Sequence, residues 1–313
     1  MAKNNETRRN GYIYSPGTAQ GFLRMQRQGI PRPVFSIENR LKTLLERKYR
    51  RMVRLLISDF KAAAEQSGIT SAQLTQDAEP DALKSLKEFL SVMGVEEQKA
   101  KELLEGSNFK TLLNITALNL AEKWKSGTLE DSALREELGK ILKANQDDYS
   151  ERLKKDASKQ MRDVLEHFSI DKQKLYETSL EDIRRLYLDN ALERVFAEEE
   201  FLKHHFLEMI DNYVSGKSDK LEISNVISDL YKSTSRMAQF FARDQLARLN
   251  KATTLATYNN AGVTKVKWVT THDVRVRPSH KALDGKIFNV NDLPKEIDDY
   301  NCRCGLIPVE WQN

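Results

Sequence analysis

Cysteine is almost absent, with two in 313 residues, and glycine (thirteen) and proline (seven) are scarce. Two thiols cannot make a disulfide framework, and such sparing use fits synthesis in a reducing cytoplasm. So few turn-forming residues argue against a mainly β protein of this length. No apolar run approaches the roughly 18 residues that a membrane-crossing helix requires. The opening MAKNNETRRNGYIY has basic residues with no apolar stretch behind them, so no secretory signal is expected. Glycine-rich phosphate loops, nucleophile elbows and HExxH pairs are all missing, which removes the common signatures of nucleotide hydrolysis, acyl transfer and zinc proteolysis.

What is present is charge. Charged residues make up 31% of the chain against 40% hydrophobic ones, and the mean hydropathy is −0.61. That balance suits long helices with one buried and one wet face. The net charge of +4 conceals an asymmetry: residues 1–54 sum to +10, so the remainder sums to −6. A basic arm on a mildly acidic body points to a polyanionic or acidic partner.

Glycine and proline punctuate the first 35 residues too often for regular structure, and an irregular arm is expected there. Ser36 is placed to cap a helix whose apolar stripe runs from Ile37 through Leu41, Leu44, Leu45, Met52, Leu55, Leu56 and Phe60 and stops at Gly68. Further helix starts are expected at Pro80, at Thr128-Leu129-Glu130-Asp131 and at Asp147 or Asp148. A long helix should follow Ser179, and another should cover 221–260. Beyond Gly262, KVKWV alternates like a half-buried strand, Asp284-Gly285 marks a hairpin-type turn before another strand, and GLIPVEW reads as an edge strand because of Pro308. The expected fold is mainly α: an elongated helical N-terminal region, then a small α+β C-terminal module with short antiparallel strands. The expected divisions are an arm over 1–35, a helical bundle or stalk over 36–240 and the module over 241–313.

Both thiols lie in YNCRCGL, one residue apart. In an extended segment Cys302 and Cys304 share a face, with Cα atoms roughly 6.5–7 Å apart, at or beyond the long end of disulfide geometry. Two readings stay open. They could share a soft ion, with His272 or His280 as nitrogen donor and Asp273 as an oxygen alternative, or they could be small core residues. The stretch DVRVRPSH brings Asp273, Arg275, Arg277 and His280 together as an acid–base site, a phosphate clamp or mutually bracing charges. Arg47, Lys48, Arg50, Arg51 and Arg54 form a dense cationic belt, able to neutralise phosphates of DNA or RNA or to remain a solvated helix face. The acidic stretch 177–211, with ten acids against four bases, reads as a solvated face.

The ordered set Ala242-Arg243, Gly262-Val263, Trp268, Asp273 through His280, Leu283-Asp284-Gly285 and Asn301 through Cys304 resembles the phage head morphogenesis family typified by the F protein of phage Mu. It covers about 70 residues and matches in order and spacing. The resemblance marks Arg243, Trp268, Asp273, Arg275, Gly285 and Asn301 as structural motif positions, and it implies a metal-binding role only for His280, Cys302 and Cys304, with zinc as the possible ion. It implies a non-enzymatic minor head protein of a tailed double-stranded DNA phage or prophage, lodged in the virion. The implied partners are the portal protein, a capsid or scaffold protein and genomic DNA, with no membrane, and the implied role is head morphogenesis with DNA packaging or ejection. One alternative is a metal-dependent hydrolase or nuclease built on Asp273, His280, Cys302 and Cys304. Another is a helical nucleic-acid-binding protein outside any virion.

Overall fold

The computed structural model describes residues 7–9, 12–14, 28, 30–31, 34–66, 109–125, 132–156, 170–217 and 223–312. The helix starts expected at Pro80 and at Thr128–Asp131 fall outside them, as does most of the N-terminal arm. The arm is not irregular throughout, as its glycines and prolines led us to expect: β1 (Thr7–Arg9) and β2 (Tyr12–Tyr14) pair antiparallel within it. The helices are α1 (Phe35–Gln66), α2 (Phe109–Lys125), α3 (Ser132–Asp156), α4 (Ile170–Val214), α5 (Ile223–Asn260) and the short α6 (Pro278–Leu283). A three-stranded sheet of β3 (Val263–Val269), β4 (Ile287–Asn289) and β5 (Gly305–Trp311) closes the chain. The protein is mainly α, with this small antiparallel sheet at its C-terminal end.

Helix α1 forms over the expected stripe but begins at Phe35, so Ser36 lies inside it instead of capping it, and the Ile37 and Glu38 amides donate to the Val34 carbonyl. Leu41, Leu45, Met52, Leu56 and Phe60 are buried, Leu55 is exposed, and Tyr49, in the middle of the cationic belt, is buried with the stripe. Two further helix boundaries differ from expectation. Helix α3 runs straight through Asp147 and Asp148, which pair one turn away with Lys143 and Arg152 instead of capping a new helix. Helix α4 starts nine residues before Ser179. The Thr178 and Ser179 hydroxyls donate to the carbonyls of Lys174 and Leu175, a mid-helix role open to both residues that removes them as caps.

The chain divides into two compact units that alternate along the sequence, because α1, α4 and α5 each contribute to both. One comprises Leu44–Asp131 and Glu193–Ala238. Its core holds Phe60, Leu113, Leu120, Phe206, Ile210 and Tyr213, with Phe60 and Phe206 edge to face at 5.4 Å. Asp59 ties α1 to α2 by accepting from Lys123 (2.7 Å) and from the Trp124 indole (2.9 Å).

The other unit comprises Met1–Thr43, Ser132–Leu192 and Gln239–Asn313. Polar pairs stitch its helices. Asn145 donates to Asn250 (2.7 Å), Tyr149 bonds Thr254 (3.1 Å) and Tyr176 bonds Thr257 (3.0 Å), all buried. Buried hydrogen bonds of this kind add modest net stability, but mispairing leaves polar groups dry, so they fix helix register. Glycine ends α5: Gly262 at φ 73° takes the left-handed position that closes a helix, and its carbonyl accepts from the Gln312 amide at the far end of β5.

The sheet order is β4-β3-β5, all antiparallel, so β5 is an edge strand and accommodates Pro308 opposite Val266 at a register irregularity. Its buried face meets α5, where the Tyr258 hydroxyl donates to the Leu306 carbonyl at 3.0 Å. Ile30 packs against Val269 beside it. Asp284-Gly285 is a turn, with Gly285 at φ 79°, but it joins α6 to β4 instead of linking two strands, because PSHKAL forms a helical turn between β3 and β4.

Candidate functional site

Three segments meet beside Trp268 near the end of β3. Helix α6 starts at Pro278, whose missing N–H costs nothing at a helix start, and it buries His280. The segment from Lys295 to Cys304 crosses α5 and delivers both cysteines to the mouth of β5. Helix α5 grips that segment with one face. Asp244, buried, accepts from the Asn301 amide (2.7 Å) and from Arg248 (3.1 Å), while Arg248 donates to the Asp298 carbonyl and Lys251 to the Ile297 carbonyl, each at 2.8 Å. These three positions follow the i, i+4, i+7 spacing of a single helix face. Asn301, held this way, adopts φ 53°, a left-handed conformation that asparagine tolerates better than most residues.

The result is a tight cluster. His280 Nδ1 lies 3.3 Å from the Cys304 sulfur and 3.4 Å from that of Cys302. His280 Nε2 lies 2.7 Å from the Asp299 carboxylate. A carboxylate can only accept, so Nε2 donates to Asp299, and Nδ1 is the ring atom that faces the two sulfurs. The Trp268 ring stands edge to face against His280 at 5.7 Å. Both cysteines are free thiols, in keeping with the unfavourable disulfide geometry of the C-x-C spacing.

The thiols act as a pair. Cys302 is lowered to about 5, chiefly by the hydrogen bond with Cys304, with help from the Lys251 and His280 charges and against its burial. Cys304 is pushed up by the same hydrogen bond and by burial. The two sulfurs therefore titrate together, the first ionisation made easier and the second harder than for a lone thiol. The buried Trp268 indole N–H makes no hydrogen bond of ordinary geometry, though it faces Cys304 closely enough to ease ionisation there slightly. Asp299 is lowered, first by the hydrogen bond from His280 and then by the His280, Arg277 and Lys251 charges.

Two sulfurs and an imidazole nitrogen, all within 4.8 Å of one another, fit the donor set of a thiophilic ion. Around a tetrahedral zinc, bond lengths of about 2.3 Å to sulfur and 2.0 Å to nitrogen put sulfur and nitrogen roughly 3.5 Å apart, close to the spacing found. Asp299 adds the carboxylate that a ligating histidine uses to fix its ring. We expect Asp299→Asn to weaken zinc affinity about 10- to 100-fold while leaving the thermal midpoint of the metal-free chain nearly unchanged, as read by competition with a chromogenic chelator. An affinity equal to that of the parent would remove Asp299 from the site.

A cavity of about 220 Å³ opens beside the cluster, lined among others by Arg243, Asp273, Arg275, Arg277, Asn301 and Arg303, together with His280 and both cysteines. The motif positions Arg243, Asp273, Arg275 and Asn301 therefore converge, Trp268 backs the cluster and Gly285 shapes the α6–β4 turn. Arg243 is anchored by buried Glu38 at 3.3 Å. Asp273 accepts from the Arg275 amide (2.9 Å), which folds the loop on itself. His272 is separate: at φ 56° its Nε2 turns to Asp284 at 2.6 Å. The cationic belt lies in the other compact unit, where Arg47, Arg50, Arg51 and Arg54 are exposed at helical spacing and Lys48 is half-buried. Sequence reasoning missed Asp299, Asp244, Arg248 and Lys251. The spacing of the last three on α5 was a readable signal, whereas nothing distinguished Asp299 from Asp298.

Comparison with known proteins returns the same family that the ordered motif resembles. Residues 206–307 match the family described as Phage Mu protein F like protein. Over this segment the chain is similar to that family. The Mu F-like match runs from the last turns of α4 into the start of β5 and takes in every motif residue from Arg243 to Cys304. An uncharacterized protein of Haemophilus influenzae is 38% identical over 117 residues, covering 34% of this chain and 26% of that protein. An uncharacterized protein of Methanocaldococcus jannaschii is 29% identical over 132 residues, 41% of this chain and 20% of that protein. The chain thus spans about a quarter or less of the length of these curated relatives. No solved structure matches it. Among the described residues no helix is long and apolar enough to cross a membrane.

Proposed function

We propose that the protein is a structural minor head protein of a tailed double-stranded DNA phage or prophage. In this reading it sits in the virion, joined to the portal and the capsid interior, and acts in head morphogenesis and in DNA packaging or ejection. The observation that carries the reading is the Mu F-like match over residues 206–307, on a module whose motif residues meet at one buried cluster. The cluster's role is to pin the module: zinc held by His280, Cys302 and Cys304 would cross-link α6 to the entry of β5. Helical surface rich in charge suits many weak contacts to capsid proteins, and the basic arm suits an acidic protein surface or DNA. The test is co-expression with the portal protein encoded in the same genome, followed by mass spectrometry of purified particles. Co-purification with the portal ring and a fixed copy number per particle support it. Particles that assemble and eject DNA normally without this chain refute it.

The exposed Arg47, Arg50, Arg51 and Arg54 give the DNA contact its candidate surface. Changing all four to glutamine should weaken duplex binding and cut the slope of log K against log salt by about 3 to 4. An unchanged slope would remove the belt from the interface.

A second reading, a metal-dependent hydrolase or nuclease, is favoured by one observation: Asp273, His280, Cys302 and Cys304 all line one cavity. Three protein donors leave a tetrahedral ion one position for water, the arrangement of catalytic zinc sites. Zinc-dependent cleavage of DNA that Asp273→Asn abolishes in a folded protein would favour it.

A further inference from the structure

We infer that the cavity beside the cysteine–histidine cluster is a binding site for a phosphate group, read by Arg275, Arg277, Arg303 and Asn301. The inference does not depend on where the protein assembles or on whether the cluster holds zinc.

The lining is strongly cationic. Four arginines face the cavity against one carboxylate, Asp273, which accepts from the Arg275 amide and lies 3.8 Å from the Arg275 guanidinium. Each guanidinium has five N–H donors in a planar fork. Arg277 donates from Nη2 to the Tyr300 carbonyl at 2.7 Å and approaches Asp299 only to 3.6 Å. Arg243 meets Glu38 through Nε at 3.3 Å. These contacts orient the guanidinium planes of Arg277 and Arg243 at the cavity they line.

Asn301 supplies the decisive observation. Both polar atoms of its side chain are buried, and neither has a hydrogen-bond partner. Its backbone is held in a left-handed conformation by Asp244, so the amide cannot relax easily to find one. An orphaned buried amide costs free energy, and such groups persist where a ligand completes them. A rotation of the amide toward the cavity that Asn301 lines would let Nδ2 donate to a phosphoryl oxygen and Oδ1 accept from a hydroxyl or a water.

The geometry favours phosphate over carboxylate. Arginines from α5, from the 273–277 loop and from the Asn301–Cys304 segment line one cavity, and three phosphoryl oxygens can serve several guanidinium groups where a carboxylate serves one. At about 220 Å³ the cavity admits a phosphate with a sugar-sized group attached, not a folded segment of a partner. Free phosphate and the phosphate of a nucleic-acid strand share this chemistry.

Calorimetric titration of the full chain at constant ionic strength, chloride replacing phosphate in the control, tests the inference. The probes are inorganic phosphate and a single-stranded octanucleotide with or without a 5′-phosphate. We expect saturable phosphate binding that weakens at least tenfold in Arg277→Gln and in Asn301→Asp, which tolerates the same backbone conformation and puts a negative charge in the cavity. Unchanged thermal midpoints establish that both variants fold. Competition with phosphate by both oligonucleotides assigns the site to backbone phosphodiesters, by the phosphorylated strand alone to a strand end, and by neither to the free ion. Each of these three outcomes upholds the inference. No saturable phosphate binding, affinities unchanged in both folded variants, or acetate binding more tightly than phosphate would overturn it.

Discussion

Serine at both Cys302 and Cys304 should abolish binding of about one zinc per chain and destabilise the C-terminal module by at least 3 kcal/mol in the presence of zinc. Two of three donors disappear, and a lone imidazole holds zinc too weakly to contribute to folding. Without a metal the same change trades two buried sulfurs for smaller hydroxyls that can still hydrogen-bond, a loss of about 1–2 kcal/mol. The size of the effect therefore separates a metal pin from ordinary packing. Chelator treatment of the parent protein should reproduce most of the loss if zinc is the pin, and should do nothing if the thiols only pack. Elemental analysis and urea unfolding monitored near Trp268 read both quantities. A double variant that melts with the parent, and a parent that carries no zinc, would end the idea that this cluster closes the module.

How far the sequence led depends on which residues were asked. The Mu F-like cluster was legible because its motif residues are few, chemically distinctive and ordered: His280, Cys302 and Cys304 lie within 4.8 Å of one another although 24 positions separate the first from the last. Strands β3 and β5 were legible from alternation and from Pro308. Helix boundaries were less so. Asp147, Asp148 and Ser179 have side chains suited to capping, yet each sits inside a helix because neighbouring turns continue to bury apolar residues, and local cap preference is weaker than that burial. The interlocking of three segments by Asp244, Arg248 and Lys251 was hidden for a different reason: its partners are backbone carbonyls and an amide, which leave no trace in residue identity. The same holds for Asn301, whose motif membership was visible but whose orphaned amide depends on packing around it.

Trp268→Ala should be among the costliest single changes in the C-terminal module, at about 3–5 kcal/mol. The ring is fully buried among Tyr258, Val266, Leu306 and both cysteines, and its edge contact with His280 joins the apolar core to the polar cluster. Deleting it removes a large apolar area and leaves a void that short strands on either side cannot close without breaking the β3 pairings with β4 and β5. Trp268→Phe keeps much of the volume and should cost less than half as much. What makes the change informative is its coupling to the cluster. If the indole only fills space, losses from Trp268→Phe and His280→Ala add. If it holds the imidazole against the sulfurs, the double variant loses less than the sum, by about 0.5–3 kcal/mol, and zinc affinity falls in Trp268→Phe even though no ligand has changed. Strict additivity together with parental zinc affinity would reduce Trp268 to a core residue that happens to adjoin the site.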